Sequence, residues 1–331
     1  MDWLETPGGR VPRISSQLTF TDHLGSCKAR WGIGRMTLIV PPGLYALGVP
    51  GGDDPVVVTA NYKMSYDLVR QALSGRNCWL LVLETHGVNV WCAAGKGTFG
   101  TGEVIKRVIV SGLAKIVTHR RLLLPIFGAP GVAAHKVRQR CGFTVSYAAI
   151  RAADLPEYLD NGMVTTAAMR QLTFTFYERL VLVPVEIVLS LKTTLAIGAA
   201  VAVAAALGSS MSGAVLALTA YLCAVLAGLV VAPLLLPWLP SRWFSVKGAV
   251  VGLVAAGVVC QAGGIRSVPV IVAAALAMAA ISSYHSLNFT GCTPFASRSG
   301  VKTEMRRALP VIGGALLVSM ALLVWAKFTC G

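Results

Sequence analysis

The sequence predicts two folds in one chain, a Rossmann-like α/β domain built on a parallel sheet and, after it, an all-α bundle of about five membrane-spanning helices. Three observations carry this. Of 331 residues, 55% are apolar and only 13% charged, which is too apolar for an ordinary soluble protein. No Asp, Glu, Lys or Arg occurs between Lys192 and Arg242, whereas charges are spaced normally from Arg10 to Arg151. Within that charged half, β-branched runs alternate with amphipathic ones, the pattern of βαβ units.

In chain order, residues 1–55 are read as an extension packing on the α/β domain, 56–162 as that domain, 163–186 as a linker with a juxtamembrane helix, and 187–331 as the membrane domain. The run 55–60 predicts the first strand. The helix after it covers 66–73, with Leu68, Val69, Ala72 and Leu73 on one face. Strands over 78–85, 122–127 and 143–150 then alternate with helices over 103–113, 133–140 and 155–159. Ligands of such sheets bind beyond the carboxyl ends of the strands, where Gly-rich segments follow Thr85 and Phe127.

A span needs about 20 apolar residues. Five are read, at 189–207, 213–236, 246–263, 268–287 and 309–325, the third being Gly-rich and short. Pro233, Pro237 and Pro240 are expected to close the second with a turn. Lys and Arg stay on the cytoplasmic side. Arg242 and Lys247 follow the second span and Arg298, Lys302, Arg306 and Arg307 the fourth, against only Arg266 and Lys327 on the other side. The expected location is therefore the cytoplasmic (inner) membrane, multi-pass, with the N-terminal domain in the cytoplasm and the C-terminus outside. The first residues have no apolar core of a cleaved signal peptide, and none is expected.

The net charge of +15 fits basic cytoplasmic loops. It does not predict a nucleic-acid partner, because no basic run is interleaved with aromatics for base stacking. None of the eight cysteines forms a CxxC pair, which argues against zinc sites of that spacing and against an iron–sulfur cluster on this chain.

The segment with chemical content runs from His86 to Gly102. Gly95, Gly97 and Gly100 satisfy G-x-G-x-x-G, yet the acidic residue that a dinucleotide site wants about 20 positions later is replaced by Lys115, His119, Arg120 and Arg121. A phosphate loop also fails, since Val90 stands where it needs glycine. Cys92 stands at a post-strand turn beside Trp91, and Ala93, Ala94 and Gly95 after it would let a flat ligand approach the backbone. A lone cysteine is more often a packing residue; its setting makes this one a candidate ligand.

The octet Asn89-Val90-Trp91-Cys92-Ala93-Ala94-Gly95-Lys96 resembles the signature of the mercury-methylation corrinoid proteins, the HgcA family, membrane-anchored relatives of the large subunit of the corrinoid iron–sulfur protein of acetyl-CoA metabolism. Arg30-Trp-Gly-Ile-Gly-Arg35, Pro42-Gly-Leu-Tyr45, Val58-Thr-Ala-Asn-Tyr-Lys63, Gly128-Ala-Pro-Gly131 and Asn288-Phe-Thr-Gly-Cys-Thr-Pro-Phe295 with Ser299-Gly-Val-Lys302 resemble further family segments. The resemblance implies a cobalamin-type corrinoid held by the α/β domain, with 89–96 as a cap helix under the ring and the Cys92 sulfur as lower axial cobalt ligand. It implies a methyltransferase passing a methyl group from methyl-Co(III) corrinoid to Hg(II), which forms methylmercury. Its partners would be a separate methyltransferase drawing on a folate-type donor and a separate ferredoxin-like iron–sulfur reductant.

Further expectations attach to that reading. Thr59 and Asn61 either hydrogen-bond the corrin edge or serve as strand-end turn residues. Gly97, next to the cap helix, is expected to take part in corrinoid binding, and Gly128 and Gly131 either hold the nucleotide tail or turn the chain. The Asp22-His23-Leu24-Gly25 segment lacks the spacing of a corrinoid-ligating histidine motif. Lys106, Arg107, Lys115, Arg120, Lys136, Arg138 and Arg140 offer either a basic docking surface or solvated helix faces. The loop 288–307 is expected to fold against the α/β domain, with Cys292 either a transient mercury thiolate or a filler of space. Two other functions compete: a membrane-bound corrinoid methyl carrier for a thiol or acetyl-CoA pathway, and a transporter with a nucleotide-binding regulatory domain.

Overall fold

The computed structural model describes residues 2–208 and 210–330, apart from the side chains of Cys292, Arg298 and Cys330. The chain divides into two compact units, Met1–Leu172 and Thr173–Gly331.

Unit 1 is built on a seven-stranded sheet: β1 (Asp2–Thr6), β2 (Gly9–Ile14), β3 (Gly43–Leu47), β4 (Val56–Ala60), β5 (Cys78–Leu83), β6 (Arg121–Leu124) and β7 (Thr144–Tyr147), in the order β1-β2-β3-β5-β4-β6-β7. The four strands read from the sequence form its parallel part, β5-β4-β6-β7. The other three come from residues 2–47. β1 and β2 make a hairpin, β2 lies parallel to β3, and β3 runs antiparallel to β5, so the sheet is mixed rather than wholly parallel.

Every residue of β4 and β5 is buried, because helices cover both faces. Alternation along β4 divides the core. Val56, Val58 and Ala60 pack with Phe99, Val104 and Val108 on one face, and Val57 packs with Tyr66, Leu73 and Tyr158 on the other. The helices are α1 (Phe20–Arg30), α2 (Lys63–Ala72), α3 (Val90–Lys96), α4 (Thr101–Val110), α5 (Leu113–Ile116), α6 (Ala134–Cys141) and α7 (Leu155–Asp160).

Unit 2 is helical: α8 (Phe176–Leu180), α9 (Val183–Gly208), α10 (Met211–Leu226), α11 (Ala232–Leu234), α12 (Phe244–Ala262), α13 (Val268–Asn288) and α14 (Arg298–Cys330). Among the described residues, five helical stretches are long and apolar enough to cross a membrane: Phe176–Gly208, Met211–Leu234, Phe244–Ala262, Val268–Gly291 and Ser299–Thr329. They fall where the sequence put its spans, but two differences stand out. The second helix is widened by a π turn at Ala227–Val231 and runs one residue past Pro233, ending at Leu234, with Pro237 and Pro240 in the expected turn after it. The expected loop 288–307 is mostly helical, a 3₁₀ turn at Phe289–Cys292 running on toward the polar first turns of α14. Phe289 and Phe295 of that segment pack on Phe174, with ring centroids 6.4 and 6.3 Å away.

The glycines of α12 have a packing reason. A Cβ on Gly248 would lie 2.6 Å from the Ser282 carbonyl oxygen, and one on Gly252 would lie 2.5 Å from that of Met278. Close backbone approach lets Ser282, Ser283 and Ser286 of α13 donate to the carbonyls of Gly248, Ser245 and Phe244.

Candidate functional site

Counting only the parallel strands in chain order, β5-β4-β6-β7 runs 2-1-3-4, so the strand order reverses between β4 and β6. Such a reversal places a crevice at the carboxyl ends of the strands. Here β4 meets β6 only at Val57 opposite Leu123. Pro125, just past β6, has no N–H to extend the ladder. A cavity of about 270 Å³ opens there, walled by Val57–Thr59 of β4, Leu68 and Val69 of α2, Leu123 and Pro125 beside β6, and Ala149–Ala152 after β7. Asn89, Val90 and Trp91 form its remaining side together with Phe127, whose ring stacks on that of Trp91 at 4.9 Å and 10°.

The turn from β5 into α3 is fixed from below. Asn61 is fully buried, and its Oδ1 accepts hydrogen bonds from the Thr85 N–H at 3.0 Å, the Thr85 hydroxyl at 2.8 Å and the Gly87 N–H at 3.2 Å, while its Nδ2 donates to Glu84 at 2.7 Å. His86 and Gly87 then take positive φ, 55° and 71°. A Cβ on Gly87 would press on Ile39 and on the Met36 carbonyl at 2.8 and 3.0 Å. Asn89 is the N-cap of α3, and its Oδ1 accepts the Cys92 N–H at 2.9 Å.

Helical spacing sorts the rest of the octet. Ala93 and Ala94 are buried against the domain, whereas Trp91, Cys92, Gly95 and Lys96 form the exposed face of α3. The Cys92 thiol is thus presented to solvent one residue past the cavity wall, with glycine at i+3 and lysine at i+4. Gly97, at φ 82°, ends the helix. Gly95 and Gly97 therefore lie at the end of a helix and not in a strand-to-helix turn, which removes the dinucleotide reading of G-x-G-x-x-G.

Other sequence candidates find their places. Thr59 lines the cavity, but Asn61 is turned away from it and acts through the turn above. Gly128 and Gly131 bring the loop after β6 against the base of α3. A Cβ on Gly128 would lie 2.6 Å from the Phe99 ring, and one on Gly131 would overlap the Phe99 carbonyl oxygen. Their space is filled by protein. Arg107 is committed to Glu103 and the Pro42 carbonyl, and Arg120 to the carbonyls of Ala114, Val117 and His119. Of the basic set, Lys106, Lys115, Lys136, Arg138 and Arg140 stay exposed. Asp22 is held by Lys63 and Arg70, and His23 is exposed. The side chain of Cys292 lies outside the described residues.

Cys78, by contrast with Cys92, is fully buried in β5, and burial, with the nearby Asp54 charge, pushes its thiol up to about 12. Among the described residues no group of three or more His, Cys, Asp or Glu side chains converges as a metal cage. Missed by the sequence reading were Leu68, Val69 and Ala149–Ala152, contributed by segments remote from the octet. The aromatic pair Trp91 and Phe127, one in each segment that follows a parallel strand, was the available signal.

Residues 34–151 match the family described as CdhD, the CO dehydrogenase/acetyl-CoA synthase delta subunit. The chain is 36% identical over 125 residues to the acetyl-CoA decarbonylase/synthase complex subunit gamma of Methanopyrus kandleri, covering 37% of this chain and 26% of that one. It is 37% identical over 93 residues to the subunit of that name from Archaeoglobus fulgidus, covering 28% and 20%. The chain spans about a fifth to a quarter of the length of these curated relatives, and the family match at residues 34–151 takes in the parallel strands with the cap helix.

Proposed function

We propose that this chain is a membrane-bound corrinoid protein that transfers a methyl group, that Cys92 is the lower axial donor to its cobalt, and that the acceptor is Hg(II). The observation that carries the reading is the solvent-facing Cys92 thiol on a capped helix beside an apolar cavity at the strand-order reversal. The residues fit such a group. Gly95 leaves no side chain beside the thiol, so a flat ring can approach it, and Trp91 with Phe127 offers a planar apolar wall. The similarity to acetyl-CoA decarbonylase/synthase subunits supports the methyl-carrying half of the proposal.

A cobalt corrinoid held through the Cys92 thiolate would supply a methyl group that leaves with its bonding electrons, because a thiolate donates more charge to a metal than an imidazole does. A soft, thiophilic acceptor such as Hg(II) suits that polarity. The chain's own residues hold and aim the donor. Asn89 fixes the Cys92 amide, Asn61 fixes the turn that carries Asn89, and Ala93 and Ala94 seat the helix on the domain. No cluster motif occurs on the chain, so the two electrons needed per turnover come from a separate ferredoxin-like protein, and the methyl group comes from a folate-type donor through a separate methyltransferase. The runner-up, a methyl carrier for a thiol or acetyl-CoA pathway, asks the methyl to leave as a cation, which a strong lower donor disfavours.

The test is the visible spectrum and methylmercury yield of purified full-length protein, supplied with corrinoid, methyl donor and reductant. Cys92→Ala is expected to insert normally and to lose methylmercury formation by at least about 100-fold, the upper end of what losing even a partner that orients a metal ligand costs. Wild-type turnover by that variant would refute the assignment. A colourless wild-type protein would refute the corrinoid itself.

A further inference from the structure

Helix α1 is assembled inside out. Its inward face carries Asp22, Gly25, Ser26 and Ala29, and it is docked by charge: Asp22 accepts from Lys63 at 2.5 Å and from Arg70 at 2.8 Å. Its outward face carries Phe20, Leu24, Cys27 and Trp31, a stripe at i, i+4, i+7 and i+11 in which Phe20 is 79% exposed. A helix on a globular domain ordinarily turns its apolar stripe inward. The turn after it continues the anomaly. The N–H groups of Gly32 and Ile33 bond back to the carbonyls of Ala29 and Lys28, the Schellman pattern, which is usually sealed by a contact between the residues at Ile33 and Lys28. Lysine makes no such seal, and Ile33 and Met36 are left 62% and 63% exposed.

Charge identifies what would cover this stripe. From His23 to Gly52 the sequence has no acidic residue, while Lys28, Arg30 and Arg35 stand among the exposed apolar side chains, and none of the three pairs with a carboxylate among the described residues. Outward aromatic and aliphatic side chains interspersed with unpaired cations are the make-up of a segment lying in a bilayer interface. The same chain carries five helices able to cross a membrane, so a bilayer surface is within reach of the tethered domain.

We propose that α1 and the turn 31–36 are a membrane-surface anchor, which seats Phe20, Leu24, Trp31, Ile33 and Met36 at the headgroup boundary of anionic lipid. The inference rests on the spans being inserted and is independent of the corrinoid reading. Its test uses the full chain in nanodiscs, with p-benzoylphenylalanine in place of Phe20 or Ile33 and, as control, of the exposed His135 on α6. Intact span insertion is verified first by protease protection, so that failure of the membrane reading is seen separately.

In discs about one-third phosphatidylserine, irradiation is expected to give lipid adducts at both test positions and not at the control. With Lys28, Arg30 and Arg35 all changed to Gln, adduct yield should fall at least about fivefold, since each cation near an anionic surface adds to the attraction. Adducts to protein, whether to another part of the chain or to a second copy, would overturn the proposal. So would the absence of adducts, or a lipid yield equal in pure phosphatidylcholine and unaffected by the three substitutions.

Discussion

Two asparagines, each C-terminal to a parallel strand, do different work, and the difference is measurable. Asn89 sits at a helix start, so Asn89→Ala should cost about 1 kcal/mol through the lost cap. Asn89→Asp should keep most of that stability, as thermal unfolding of the two variants would show. Asn61 satisfies three donors at once, but they belong to a turn 24 to 26 residues away, so no local pattern could have revealed them. Asp22 makes a second prediction at this scale. Burial alone would raise its pKa, but hydrogen bonds from Lys63, Thr19 and Arg70 outweigh it and hold the carboxyl well below the usual carboxylate range. A group depressed in the folded state contributes stability above its unfolded pKa, near 4, and loses it as the pH falls through the folded value. The protection factors of the α1 amides, exchange rates divided into the intrinsic rate at each pH, should therefore be unchanged from about pH 7 to 5 and fall below about pH 4. Asp22→Asn should lower them already at neutral pH.

Among the elements, the Gly-rich third span shows how composition carries two messages. Its apolarity is legible as a span, whereas the reason for its glycines lies in α13, which packs against them. Gly252→Leu should drive a side chain into the Met278 carbonyl and part α12 from α13. The expected result is a thermal transition in detergent at least several degrees lower, since overpacking a close contact costs typically about 1–3 kcal/mol. Gly257, with nothing within 4 Å of its Cβ position, is the control, and Gly257→Leu should leave that transition in place. An equal fall in both variants would mean that the α12–α13 contact does not hold the bundle. The cap helix is the complementary case. Its octet was recognisable as a unit, and its start and end follow from Asn89 and Gly97, but which of its residues face outward followed only once Ala93 and Ala94 had a domain to pack on.

At the scale of the whole molecule, unit 1 has a core on each face of its sheet, and that sheet uses residues 2–47 as well as the βαβ part. Residues 1–172 produced alone should fold and unfold in one cooperative transition. The same piece begun at residue 56 should be unstable, because β5 would lose β3 and present a long apolar edge. Circular dichroism melts of the two would decide; equal stability would mean that the N-terminal strands are accessory. The sequence by itself determined the number and place of the helices long and apolar enough to span a membrane, the alternation of the four parallel strands with helices, and the segment that bears Cys92, since each is written in local periodicity or in a contiguous motif. Only the tertiary structure decided the strand order that opens a cavity between β4 and β6, the entry of β1–β3 into the sheet, the inward turn of Asn61 and the outward stripe of α1. These depend on hydrogen bonds and ion pairs between residues tens of positions apart, whose partners are chosen by the folded chain as a whole and leave no period in the sequence.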